Sequence, residues 1–186
     1  MEYSKHMASL QPSGTNAPAN HLCSDCGLCC NGSLFIWVKL RHAELAPVTQ
    51  LGMTIFDDHP TQRGFLLPCP QWQSKCTIYD NPNYPHACRA FNCTLLKKLM
   101  NNDVTLPAAL GTIAVIKEQI DWLKVRLPPS SSTNFREQLV ALLEGTAPAP
   151  GLAGLGDEFA QRANALLADY EEILGITDLL EKPIID

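Results

Sequence analysis

The sequence predicts an α+β protein, mainly α, in which a small cysteine-rich head with short strands packs against a helical C-terminal half. Three observations carry that prediction. All eight cysteines lie between Cys23 and Cys93, and the remainder of the 186 residues holds none. The apolar runs before residue 85 are short and rich in β-branched and aromatic residues, as strands are. After residue 85 the apolar positions recur at helical spacing instead. With 46% hydrophobic and 18% charged residues, the chain has the make-up of one domain or of a head with a helical extension. It is too short for a large barrel enzyme.

Residues 1–20 are polar, with scattered Ser, Asn, Gly and Pro, and read as a flexible tail. Residues 21–100 form the expected cysteine region. Within it, Leu34-Phe35-Ile36-Trp37-Val38 reads as a buried strand. Arg41 to Gly52 reads as a short helix with Leu45, Val48 and Leu51 on one face, where Pro47 is tolerated only near an end. Residues 64–80, GFLLPCPQWQSKCTIYD, read as two short strands around a Gln73-Ser74-Lys75 turn. From Pro85 onward Phe91, Leu95 and Leu99 fall on one helix face.

Residues 101–186 are the expected helical extension, packed on the head. A helix starting near Pro107, a residue suited to a first turn, buries Leu110, Ile113 and Ile116. Pro128 to Thr133 is a linker, and Asn134 caps a helix running to about Glu144. Residues 146–156, TAPAPGLAGLG, form a breaker-rich loop. Asp157 opens a helix through Leu174, with Phe159, Ala163, Leu166, Tyr170 and Ile173 along one stripe.

Charge divides along the same line. Residues 1–100 carry eight Lys/Arg against six Asp/Glu, a formal +2, and residues 101–186 carry six against thirteen, a formal −7. The overall −5 argues against a nucleic-acid surface. No apolar run is long enough to cross a bilayer. The first twenty residues lack the basic start, apolar stretch and cleavage site of a signal peptide, so the expected compartment is the cytoplasm. A protein partner is left open. There is no internal repeat, GxGxxG loop, P-loop or HExxH helix, and no catalytic residue can be assigned.

In a reducing cytosol, clustered thiols point to metal binding rather than disulfides, which stay open for a chain exported by another route. The segment HLCSDCGLCCNG holds Cys23-x2-Cys26-x2-Cys29-Cys30, a spacing that lets successive thiolates turn toward one centre, with Gly27 and Gly32 permitting tight turns. Neighbours Cys29 and Cys30 point in divergent directions, so they can serve different ions or cluster edges. Six residues separate Cys69 from Cys76, which suits opposite arms of a hairpin. Cys88 and Cys93 lie about 140° apart around a regular helix. They reach one centre only if Cys88 sits at or before the helix start. Two four-cysteine sites, one site with spare thiols, or a bridged cluster are all compatible with this pattern.

The metal stays open between zinc and iron. Zinc favours tetrahedral thiolates, and iron–sulfur clusters, [4Fe–4S] among them, also take four cysteines. The first loop partly resembles the bacterial ferredoxin run, but its x3-Cys-Pro continuation is missing, and Ser33 occupies the third place a radical-SAM motif would need. Taken in order, Cys23-x2-Cys26-Gly27-x-Cys29-Cys30, Pro68-Cys69, Cys76-Thr77-Ile78-Tyr79 and Pro85-x2-Cys88-Arg89-x-Phe91-x-Cys93 resemble the CxxCxxCC cysteine-cluster family of YkgJ-like zinc- or iron-chelating proteins. The resemblance covers about residues 21–95. It implies a small metal-binding domain whose ligands map onto all eight cysteines. Some members are named flagellin lysine N-methylases, which implies a methylase as one alternative. A redox-linked enzyme and a purely structural zinc interaction module are the others. The family's Arg-Pro is replaced here by Tyr84-Pro85, after Asp80-Asn81-Pro82-Asn83.

The remaining polar candidates have plainer readings. Arg89 can donate to a thiolate or sulfide or form a surface contact. Tyr79 is expected to pack the hairpin against Phe91. His21 and His86 can act as ligands but read as solvated loop residues, and His42 has no partner spacing. Asp57-Asp58-His59 reads as a polar turn. Trp37, Trp72 and Trp122 read as packing residues, and Asp169, Glu171 and Glu172 as a solvated helix face.

Overall fold

The computed structural model describes residues 18–59, 61–128, 134–146 and 154–177. Most of the expected tail, all but Pro128 of the linker and the centre of the 146–156 loop lie outside these residues. Along the chain run α1 (Pro18–Cys26), β1 (Trp37–Lys39), a 3-10 turn (His42–Glu44), α2 (Leu45–Gln50), β2 (Ile55–Phe56) and β3 (Gly64–Leu66). Then come α3 (His86–Ala90), α4 (Thr94–Met100), α5 (Leu106–Lys124), α6 (Phe135–Leu143) and α7 (Asp157–Glu172). This is the predicted α+β arrangement, mainly α, with one small three-stranded antiparallel sheet in the order β1-β3-β2.

The long helices follow from their apolar spacing. On α5, Ala109, Ile113, Ile116, Ile120 and Leu123 are buried, at intervals of four and three that keep them on one face. On α7, Phe159, Ala163, Leu166 and Tyr170 repeat the pattern, and the two helices pack together. Ile173 is only half-buried. Thr105 caps α5 by accepting from the Ala108 amide at 3.4 Å, with Pro107 in the first turn. Asn134 opens α6 in a reciprocal capping box with Glu137, which satisfies two amides that a helix start otherwise leaves unpaired.

Several local expectations are revised. The helix α1 begins at Pro18, so the polar start gives way to helix before residue 21. The cysteine segment expected to loop is helical as far as Cys26, and tightens into turns only after Gly27. The strand foreseen at Leu34–Val38 is reduced to Trp37–Lys39. The second arm of the 64–80 hairpin is a single bridge between Trp72 and Cys76. The helix expected through Phe91 and Leu95 is broken, because Phe91 is extended at φ −76, ψ 122 and ends α3.

Two apolar cores result. The helical core joins Leu22, Leu28 and Leu34 to Leu95 and Leu99 of α4 and to the buried faces of α5, α6 and α7. The sheet core gathers Leu40, Val48, Met53, Phe65, Leu67 and Ile78. Phe35 packs against both, edge-on to Phe91 at 5.1 Å. The helical core therefore crosses residue 100, and α1 packs on α4 and α5. Among the described residues, no helix is long and apolar enough to cross a membrane.

Candidate metal centre

All eight cysteines line one cavity of about 240 Å3 between the two cores. Cys23 and Cys26 project from α1, where a separation of three residues puts them on one face. Cys29 and Cys30 lie in the turns that follow, closed by the Asn31 amide donating to the Gly27 carbonyl at 2.8 Å. Cys69 follows β3, and Cys76 stands opposite Trp72 in the bridge, on the other arm as the spacing suggested. Cys88 is within α3. Cys93 is the N-cap of α4, its sulfur accepting from the Leu96 amide at 3.4 Å. The break at Phe91 thus puts Cys88 and Cys93 on separate helices, and both reach the cavity.

Backbone bonds tie these segments together. The Cys69 amide donates to the Cys30 carbonyl at 2.7 Å, and the Cys76 amide to the Ser24 carbonyl at 3.1 Å. Glu44 holds α3 in place, accepting from the His86 amide at 2.6 Å through one oxygen and from the Arg41 amide at 2.7 Å through the other. Gly27 has φ +69, and a Cβ there would lie inside the Trp72 indole. A residue without a side chain is required both by the left-handed backbone and by that contact.

The cavity is dry. Leu22, Leu28, Phe35, Trp37, Phe65 and Ile113 contribute to its wall, and all eight cysteines are free thiols. Burial is the largest influence on them. It pushes Cys23 and Cys88 up to about 12, helped by neighbouring thiols, and Cys26 to about 11 against the opposing pull of the Leu28 amide and Lys117. Cys29 and Cys30 are raised for the same reason, with other thiols adding to the effect. At neutral pH the metal-free site is a ring of neutral thiols.

The eight cysteines share the cavity wall with apolar side chains. Four thiolates on one zinc at Zn–S about 2.3 Å stand about 3.8 Å apart. Among the described residues, no group of three or more His, Cys, Asp or Glu is gathered as the ligands of one metal ion. The cavity has many times the about 10–15 Å3 that one water needs. Thiol chemistry, the number of thiols and the size of the cavity fit a group larger than one ion.

The other candidates take supporting places. Arg89 is exposed, its guanidinium 5.1 Å above the Tyr84 ring. Tyr79 does not pack on Phe91: its ring lies 5.4 Å from Tyr84 and its hydroxyl donates to Asn20 at 3.1 Å. His21, His42 and His86 are exposed and absent from the cavity wall. The His59 ring accepts from the Thr61 amide at 3.3 Å, in the polar turn expected there. Trp72 seals Gly27, and Trp37 is buried against Phe56. Trp122 is half-buried between Arg126 and Arg162, and Glu171 and Glu172 are exposed.

Two contributors had no signal in the sequence. Tyr84 lines the cavity among the thiols, at the position where the family resemblance led to an arginine. Lys117, on the far side of residue 100, donates to the Asp25 carbonyl at 3.0 Å and lies 5.8 Å from the Trp72 ring. No motif marks a lone lysine on an amphipathic helix. The chain matches no protein-family model, no curated protein and no solved structure.

Proposed function

We propose that this protein binds iron through its clustered cysteine thiolates, as an iron–sulfur centre. The observation that carries this reading is the convergence of all eight free thiols on one largely apolar cavity. Thiolates that share a cluster sit on different irons and stand further apart than those on one zinc, and a cavity of about 240 Å3 lined by eight cysteines has room for such a group. The order of the cysteine motifs, similar to that of the CxxCxxCC family, supports the same chemistry. Cys23, Cys26, Cys29, Cys30, Cys69, Cys76, Cys88 and Cys93 are the ligands in this reading. When bound, such a centre supplies one-electron redox chemistry. The chain's own part is to present thiolates to the incoming metal, their protons being released to solvent, and to limit access of water with its apolar wall. A reducing compartment such as the cytoplasm keeps the thiols available.

The test is anaerobic purification, elemental analysis for iron and zinc, acid-labile sulfide, and an absorption spectrum of the same sample. Iron with sulfide and a broad visible band supports the reading. Stoichiometric zinc without colour replaces it with a structural zinc module. Neither metal, even after anaerobic reconstitution, overturns metal binding altogether. Cys26→Ser is expected to lower metal content and loosen the cysteine region.

A further inference from the structure

We infer that the eight thiols form two four-cysteine centres, Cys23, Cys26, Cys29 and Cys93 on the helical core and Cys30, Cys69, Cys76 and Cys88 on the sheet core. The inference rests on the metal-binding reading above and adds stoichiometry and ligand assignment to it. Core packing divides the cysteines first. Cys26, Cys29 and Cys93 pack against the helical core, Cys69 and Cys76 against the sheet core, and none of these packs against both.

Element packing assigns the others. Cys23 shares α1 with Cys26, and α1 packs on α4, whose N-cap is Cys93. Cys30 is bound through its carbonyl to the amide of Cys69 at 2.7 Å. Cys88 lies on α3, which packs against β1 of the sheet. The boundary then falls between Cys29 and Cys30, where adjacent residues direct their side chains apart. Each set has the number of thiolates that an iron–sulfur cluster requires.

Paired substitutions in the full chain, reconstituted anaerobically and checked for retained helix by circular dichroism, test the division. Cys26→Ser with Cys93→Ser is expected to leave half the wild-type metal, as is Cys69→Ser with Cys88→Ser. The crossed pair, Cys26→Ser with Cys88→Ser, is expected to leave almost none. Loss of all metal from either same-set pair, or half retained by the crossed pair, overturns the division. A short bifunctional thiol reagent on the metal-free wild type, read by peptide mapping, needs no variant to fold. Links within each set support the proposal, and a link from Cys26 to Cys69 or from Cys93 to Cys88 overturns it. Two zinc ions per chain and no iron would overturn the iron–sulfur reading and leave two centres standing. A single centre holding iron and sulfide would do the reverse.

Discussion

In the helical core, α7 alone buries Phe159, Ala163, Leu166 and Tyr170 completely, and helices of up to nineteen residues satisfy their own backbones. In the sheet core the strands are two or three residues long, and between β3 and α3 the chain is held by single backbone bonds such as Cys69 to Cys30 and Cys76 to Ser24. Apolar burial is therefore the main support of the first region. The second contributes its side of the cavity wall from short strands and turns, with few regular elements. A chain can hold a reactive centre on a loosely built wall when a rigid body stands behind it.

The largest expected effect separates the two regions directly. Removing metal from the loaded protein with a chelator under anaerobic reducing conditions should abolish most amide-exchange protection between residues 65 and 93, while α5 and α7 keep theirs. Equal loss in both would show that the helical body has no independent stability. Next, Phe159→Ala removes a fully buried ring and should cost about 3–5 kcal/mol in denaturant unfolding. Because α1 belongs to the same core, metal retention should fall with it. A variant that unfolds α7 yet binds metal normally would detach the cysteine region from that core.

Gly27→Ala forces a side chain into a left-handed position and into the Trp72 indole. Backbone conformation and overpacking together give about 3 kcal/mol of destabilisation, expected as altered tryptophan fluorescence and weaker metal binding. The smallest effect is stabilising. The Tyr170 hydroxyl is buried with no hydrogen-bond partner among the described residues, so Tyr170→Phe should gain about 1 kcal/mol at neutral pH. Burial also raises the Tyr170 phenol above its ordinary value of 10.0, opposed by Arg136. The unfolded chain therefore releases this proton first, and wild-type stability falls as pH rises above about 10. Tyr170→Phe should flatten that alkaline limb in urea titrations, and an unchanged limb would assign it to other groups.

The helical region was the more legible of the two. Four-and-three spacing locates the stripe on α7 and, through Ile113 and Ile116, the buried face of α5, although Leu110 is only half-buried and Ala109 lies inside in its place. Asn134 announces its cap. These are legible because they depend on nearby residues. The break at Phe91 was not readable, since Phe91 leaves the helix to meet Phe35, more than fifty residues earlier in the chain. The cysteine pattern named the residues that line the cavity, but not their helical start on α1 or the neighbours Tyr84 and Lys117. Those neighbours depend on tertiary packing, which periodicity does not encode. The closeness of Gly27 to Trp72 is of the same kind.

One set of long-range ties has a consequence for how the chain is made. Arg136 donates to the Leu34 carbonyl at 3.2 Å and Asn134 to the Phe35 carbonyl at 3.3 Å. The Thr94 amide donates to the Leu174 carbonyl at 3.0 Å, and Gly175, at φ +70, lies so close to Thr94 that a Cβ there would meet its hydroxyl. During synthesis the cysteines emerge well before these residues, with Leu22, Leu28 and Leu34 still uncovered. Every residue that lines the cavity is made by Ile113, whereas the ties that close the helical core behind it come from Asn134, Arg136 and Leu174, so the cavity wall is synthesised before its support is complete.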